Sequence, residues 1–249
     1  MAPRRYRDSV NSSGGDCRGE VTYARVTPAS TGNVTPVTYL TASDTSDVLL
    51  VRHGESGSMV GGASLARSDG QGDPPLAPEG RVEAESLGAR LARQEISAIY
   101  TSPLRRCVET AEPLARRLGI SPKVERDLRE VFLGEWEGGL YRRKFAEQDP
   151  IALRMLAEQR WDVIPGAEPA GEFSRRVHAV ISLIAAAHAG EKIAVFTHAG
   201  VIGEALAQAS GSEPFAFIGP NNASISQLLV TSDQWLIRRF NDASHLEPG

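Results

Sequence analysis

The sequence predicts an α/β protein, a three-layer α/β/α sandwich around a mostly parallel central sheet with an antiparallel edge strand. Three observations carry this. Strand-length apolar runs alternate with helix-length amphipathic stretches between about residues 47 and 241, the order that builds parallel sheets from crossover units. Two of those runs, Val48-Leu49-Leu50-Val51 and Ile193-Ala194-Val195-Phe196, are continuously apolar, as strands covered on both faces are. Each run stops at a histidine, in Arg52-His53-Gly54-Glu55 and in Thr197-His198-Ala199-Gly200. The carboxyl ends of strands are where open α/β sheets keep their active sites.

In chain order, residues 1–46 are rich in Ser, Thr, Gly, Asn, Pro and Arg without sustained apolar periodicity, so they are expected to form a disordered tail. Arg4, Arg5 and Arg7 precede no apolar stretch of the kind a secretory signal carries. The first strand then runs into the Arg-His-Gly-Glu turn, where Gly54 is expected to permit a tight bend. After a Gly/Pro/Asp loop, residues 78–93 read as an amphipathic helix with Val82, Leu87 and Leu91 on its apolar face. Residues 96–100 read as a strand leading into Ser102-Pro103, an N-cap and a first helical residue. A helix start at a strand end favours an anion, with Arg106 placed to reach back to it and Arg105 in solvent. A short strand-like segment from Lys123 precedes Glu130 and a Gly-rich loop holding Glu135, Trp136 and Glu137.

Beyond that loop, a helical stretch over residues 141–161 interrupts the core and is expected to act as a cap, spanning about 141–165, in which substrate choice resides. A long helix over 170–189, a strand at 192–196, and a helix over 201–208 follow. The runs at 223–230 and 235–240, joined by the short turn Thr231-Ser232-Asp233-Gln234, supply the antiparallel edge. The catalytic domain is thus expected over 47–241 and a C-terminal tail over 242–249.

Two strand-end histidines, His53 and His198, with Arg52 and Arg106 at neighbouring junctions, would converge on one sheet edge as a basic, partly dry pocket suited to a phosphate dianion. Glu130, if held inward, would have its pKa raised by burial and could donate a proton. Glu135 and Glu137 share the loop, and nothing in the sequence fixes which carboxylate faces inward. A net charge of −4 and scattered Arg-Arg pairs at 116–117, 142–143, 175–176 and 238–239 argue against nucleic-acid binding, the pairs reading as solvated faces. No apolar run approaches the roughly 20 residues of a membrane span. Cys17 and Cys107 fit a reducing compartment better than a disulfide, with Cys107 packed near the site. His178, His188 and His245 have no metal-ligand spacing and read as structural, so no metal site is expected.

Five motifs in order resemble the histidine phosphatase superfamily, also called the phosphoglycerate mutase-like family, over about residues 47–240. They are Arg52-His53-Gly54-Glu55, Ser102-Pro103-Leu104-Arg105-Arg106 with Thr110-Ala111, Leu128-Arg129-Glu130 with Gly134-Glu135-Trp136-Glu137-Gly138, Pro165-Gly166-Ala167-Glu168, and Thr197-His198-Ala199-Gly200. The resemblance implies that His53 is the nucleophile that becomes phosphohistidine. It also implies that Arg52, Arg106 and His198 bind the transferring phosphoryl group and that Glu130 is the proton donor. It points to a metal-independent, cofactor-free phosphomonoesterase acting on a small phosphorylated metabolite in the cytoplasm, with a homodimer left open. The first alternative is a cofactor-dependent phosphoglycerate mutase. It is disfavoured because Met59 stands where many relatives place an asparagine, and because the stretch from Glu130 to His198 is shorter than in mutases that grip a second phosphate there. Pro165-Gly166-Ala167-Glu168-Pro169 replaces the more usual Gly-Gly-Glu-Ser, which puts the capping of the following helix in question. A second alternative is a phosphate-binding or scaffolding protein without turnover.

Overall fold

The computed structural model describes residues 44–57 and 67–247. Residues 1–43 of the expected 1–46 tail, and Met59, lie outside the described residues, while Ser46 is buried at the start of the first strand and not part of a tail. In chain order the elements are β1 (Ser46–Arg52), the short strands β2 (Arg67–Ser68) and β3 (Gln71–Gly72), α1 (Pro78–Leu91), β4 (Ile96–Thr101), α2 (Arg105–Leu118) and β5 (Lys123–Val124). After a Gly-rich loop come α3 (Leu140–Ala146), α4 (Pro150–Glu158), α5 (Ala170–Ala186), β6 (Lys192–Thr197), α6 (Ala199–Ser210), β7 (Ile225–Val230) and β8 (Trp235–Asp242).

Six strands form one sheet in the order β5-β4-β6-β1-β7-β8. β5, β4, β6 and β1 run parallel, while β7 is antiparallel to both β1 and β8. The two-residue alternation of a strand explains the layers. Val48 and Leu50 of β1 pack with Phe173, Val177 and Ile181 of α5 and Ile202 and Leu206 of α6. Leu49 and Val51 point the other way, onto Leu87 and Leu91 of α1 and Cys107 and Leu114 of α2. An apolar run that serves two cores has no polar face to spare, and the result is the expected sandwich.

Several local expectations are corrected. Val82 is 71 % exposed, and α1 instead buries Gly80, Ala84, Leu87, Gly88 and Leu91. The reason is helical phase: at 3.6 residues per turn Val82 lies about 180° round the helix from Leu91, while Gly88 sits at the contact with α2, where a Cβ would lie 2.9 Å from Pro113. α2 begins at Arg105 with Leu104 as its N-cap, two residues later than Ser102-Pro103 suggests. The strand from Lys123 stops at Val124 and gives way to a 3-10 turn at Arg126–Leu128. The helical stretch divides into α3, α4 and a 3-10 turn at Trp161–Val163, packed around a small core of Trp136, Ala152, Met155 and Ile164. The α5 start is capped after all, since Asp162 Oδ2 accepts from Ala170 N at 2.9 Å.

The stretch beyond residue 241 is not a free tail over its described part. Asp242 ends β8 and pairs with Arg90 of α1, and Ser86 Oγ donates to the His245 carbonyl at 2.6 Å. The loop before α1 also holds an unexpected hairpin, in which Asp69 and Gly70 have φ of 49° and 85°, the signature of the Asp-Gly type I′ turn. Among the described residues no helix is long and apolar enough to cross a membrane.

Candidate active site

Strand register brings the two histidines together. β1 and β6 run parallel with Arg52 opposite Thr197, and His53 N donates to the Thr197 carbonyl at 3.0 Å. The next residue on each strand is the histidine, so the rings meet edge to face with centroids 5.3 Å apart. β4 joins from the other side of β6: Ser102 N donates to the Phe196 carbonyl, and Ser102 Oγ lies 2.8 Å from His198 Nε2. Ser102 is therefore a partner of His198 rather than the cap of α2.

His53 is 6 % exposed, and its Nδ1 is 2.7 Å from the Gly54 carbonyl. A carbonyl only accepts, so Nδ1 carries the proton and the neutral ring has its lone pair on Nε2. Burial, then the Arg106 and Arg52 charges, hold His53 well below the usual imidazole range. His198 is fully buried behind it, and burial with Arg106 lowers it likewise. Gly54 is required, but not for a tight bend, since its φ is not positive. A Cβ there would fall 2.7 Å from the Gly80 carbonyl, so glycine lets the turn press on the start of α1.

The guanidiniums are fixed by backbone oxygens. Arg52 donates to the Pro220 carbonyl and keeps a buried Nε without a hydrogen-bond partner. Arg106 Nη1 donates to the Gly72 carbonyl at 2.9 Å, and the side chain is buried. Arg105 is largely in solvent, paired with Glu109. Its backbone N–H is taken by Asp73 Oδ1 at 2.6 Å, so the start of α2 is closed by a carboxylate instead of being open to an anion.

Of the three loop acids, Glu130 is the one that faces the cations. Its Oε1 accepts from Val131 N at 3.0 Å and its Oε2 from Gly200 N, the second residue of α6, at 3.1 Å. Burial pushes its pKa up, against the pull of those two N–H groups and of Arg106 and Arg52. Glu135 is exposed. Glu137 commits one oxygen to Gly72 N at 2.8 Å and the other to Leu133 N at 2.9 Å. The segment presenting Glu130 is itself clamped. Gln71 Nε2 donates to the Glu130 carbonyl at 2.9 Å, and Arg176 donates to the carbonyls of Asp127 and Arg129 while pairing with Glu168 at 2.7 Å. Gln71 and Arg176 escaped the sequence reading, which placed Arg176 on a solvated face. Asn222, which holds Glu55 at 2.7 Å, escaped it too.

A cavity of about 510 Å³ opens over Arg52, His53, Arg106 and Glu130. Its outer wall includes Trp136, Tyr141, Arg142, Arg143 and Trp161, so the pair at 142–143 belongs to the pocket and not to a merely solvated face. Cys107 is buried, donates from Sγ to the Thr197 carbonyl at 3.3 Å, and touches His198. Burial pushes its thiol up to about 12, so it packs and does not react. His178 stacks on Trp235, His188 bridges Tyr100 and Glu191, and His245 meets Arg90. Among the described residues no group of three or more His, Cys, Asp or Glu side chains is placed to hold a metal ion.

The description of the histidine phosphatase superfamily (branch 1) matches residues 48–243. Phosphoglycerate mutase-like protein 4 of Arabidopsis thaliana is 32 % identical over 217 residues, covering 82 % of this chain and 88 % of that protein. The metal-independent phosphoserine phosphatase of the same plant is 31 % identical over 211 residues, covering 82 % and 84 %. Among solved structures, a mycobacterial glucosyl-3-phosphoglycerate phosphatase shares the fold with a TM-score of 0.66 at 24 % identity, over 79 % of this chain and 99 % of that one. The chain belongs to the histidine phosphatase superfamily and is a phosphatase of the histidine type.

Proposed function

We propose that the chain hydrolyses small phosphomonoesters in two in-line steps through a phosphohistidine on Nε2 of His53, with no metal ion. The observation that carries this reading is the bond from His53 Nδ1 to the Gly54 carbonyl. It fixes the tautomer of a buried, neutral ring whose Nε2 is then a free nucleophile beside two guanidiniums. In the first step the Nε2 lone pair forms the N–P bond as the P–O bond to the leaving group breaks, and Glu130 passes its proton to the departing oxygen. Arg52 and Arg106 hold the non-bridging oxygens, over which the charge of the transferring group is spread in the transition state. His198, a buried neutral ring whose Nε2 lies 2.8 Å from the Ser102 hydroxyl, completes the phosphoryl-binding set behind them. In the second step Glu130, now a carboxylate, takes a proton from water as that water's oxygen attacks phosphorus. The N–P bond breaks, phosphate leaves, and His53 is neutral again.

The segment of α3, α4 and the 3-10 turn at Trp161–Val163 serves as the cap that selects the leaving group. A relative named as a metal-independent phosphoserine phosphatase supports both the hydrolytic and the metal-free parts of this reading. The cysteine content fits a cytoplasmic protein.

His53→Ala should retain the fold and lose about 10⁴-fold or more in turnover of an aryl phosphate. Acid-labile, alkali-stable label should accumulate on His53 after brief exposure to a labelled phosphodonor and disappear in the variant. Activity lost to a chelator and restored by a divalent metal, or substantial turnover by folded His53→Ala, would overturn the mechanism. Interconversion of 2- and 3-phosphoglycerate far faster than phosphate release would make the chain a mutase instead.

A further inference from the structure

The cavity continues well past the phosphoryl groups. Beyond them its wall is aromatic and aliphatic: Tyr141 stands in ring contact with both Trp136 and Trp161, and Leu133 and Ile218 complete the surface. A volume of about 510 Å³ belongs with sites for molecules much larger than a phosphate and a three-carbon alcohol. Two arginines from consecutive positions of α3 also line it. Arg142 Nη1 is 3.6 Å from Glu55 and Arg143 Nε is 3.7 Å from Glu147, with the arginine side chains 54 % and 60 % exposed. Such loose, solvent-screened pairs leave both groups available to a ligand.

The charges point the same way. The lining holds Arg52, Arg106, Arg142 and Arg143 against Glu130 and Glu137. Glu137 is spent on two backbone N–H groups, and the two Glu130 oxygens likewise accept from Val131 N and Gly200 N. A phosphate dianion then matches Arg52 and Arg106 and leaves the outer pair only its loose, solvent-screened contacts with Glu55 and Glu147. Arg142 is felt electrostatically at both Arg52 and His53, so a second anion on it would sit within roughly a Debye length, ~10 Å, of the reacting phosphorus.

Resting on the phosphatase reading, we propose that the substrate is a phosphomonoester whose leaving group has a flat, apolar body. That body lies against Tyr141 and Trp161, and a carboxylate at its far end is held by Arg142 and Arg143. A compact polar alcohol such as serine or glycerate reaches the phosphoryl site but leaves the aromatic wall wet. The Tyr141 phenol, pushed up to about 12 by burial and by Glu130, stays a hydrogen-bond donor to such a ligand.

Turnover of 4-(carboxymethyl)phenyl phosphate is compared with that of its carboxamide, an isosteric pair with leaving groups of similar acidity. Calorimetry with benzylphosphonates bearing the same two substituents reads binding without chemistry. The acid should be favoured about tenfold in kcat/KM and in phosphonate Kd, as a charge-assisted contact at a partly exposed site allows. Both preferences should fall to about one in the double variant Arg142→Gln, Arg143→Gln. Equal use of acid and amide by the parent protein, or a preference that survives the double variant, overturns the subsite. So does a kcat/KM for O-phosphoserine above that of the carboxylate ester. Phosphonates that are still discriminated while neither ester is turned over would support the subsite and overturn the phosphatase reading alone.

Discussion

Gly200 offers a way to disable the proposed acid without touching it. The residue is second in α6, and the space its side chain would fill is occupied by Glu130: a Cβ built there lies 2.5 Å from Oε1 and 3.3 Å from the carboxyl carbon. Carbon and oxygen approach to about 3.3 Å in close C–H···O contacts, so in Gly200→Ala the carboxylate must retreat by roughly 0.8 Å. The fold can accept this, because Glu130 is the flexible end of a side chain and alanine is favoured over glycine in a helix by about 1 kcal/mol. The loss falls on chemistry. The bonds from Val131 N and Gly200 N that aim the carboxylate are disturbed, and a misplacement of about 1 Å can cost on the order of 10²-fold.

Gly200→Ala should therefore lose about 10²-fold in kcat/KM on an alkyl phosphate and less than about threefold on 4-nitrophenyl phosphate, whose leaving group departs without a proton. The melting temperature should stay within about 2 °C of the parent, the shift that well under 1 kcal/mol produces in a domain of this size. A series of aryl and alkyl phosphates measures the dependence of log kcat/KM on leaving-group pKa, which should steepen in the variant. An unchanged slope would show that the proton does not come from the carboxylate against Gly200. An equal loss across the series together with a lowered melting temperature would show that the helix start had moved and would refute the geometric reasoning.

Two further outcomes follow from the same site. Ser102→Ala leaves buried His198 Nε2 with only the weak Cys107 Sγ contact at 3.4 Å, which should cost about 1–3 kcal/mol of stability by thermal melting and about tenfold in kcat, and an unchanged kcat would show that the Ser102 hydroxyl does not position His198 for the reaction. The pH dependence has a definite sign: with His53 held well below the usual imidazole range and Glu130 raised, kcat on an alkyl phosphate should fall as pH rises through the raised Glu130 pKa and show no histidine limb near 6.5. Glu130→Gln should remove the alkaline limb, and a limb that persists in that variant would assign it to another group.

The parts of this fold legible in the sequence are those in which one segment carries its own pattern. β1 and β6 are continuously apolar because they feed two cores, and that same pattern, with a histidine at each end, located the site before any register was known. Parallel pairing then places His53 beside His198 with no further information from the side chains. Where an expectation failed, helical phase or a partner distant in sequence decided the outcome. Val82 is apolar like Leu87 and Leu91, but at 3.6 residues per turn it lies about 180° round the helix from Leu91, so the stripe formed by Gly80, Ala84, Leu87, Gly88 and Leu91 faces the core and leaves Val82 in solvent. Ser102-Pro103 has the composition of a helix start, but the Ser102 hydroxyl is drawn to His198 and an Asp73 carboxylate closes α2 instead.

The supporting residues of the site were illegible for a more general reason. Gln71, Arg176 and Pro220 act on or through backbone carbonyls, of Glu130, of Asp127 and Arg129, and toward Arg52, and every residue type presents a carbonyl. No spacing rule can single out which one a distant side chain will meet. One exception was available in principle. Asp69-Gly70 is a strong hairpin dipeptide, and the hairpin it makes delivers both the Gln71 amide to Glu130 and the Gly72 carbonyl to Arg106. It passed unread because two-residue strands carry no periodicity on either side of the turn. A turn signal without flanking alternation thus marks a place where the chain is bent for the sake of one contact, and here that contact is with both the acid and a phosphate-binding arginine of the proposed site.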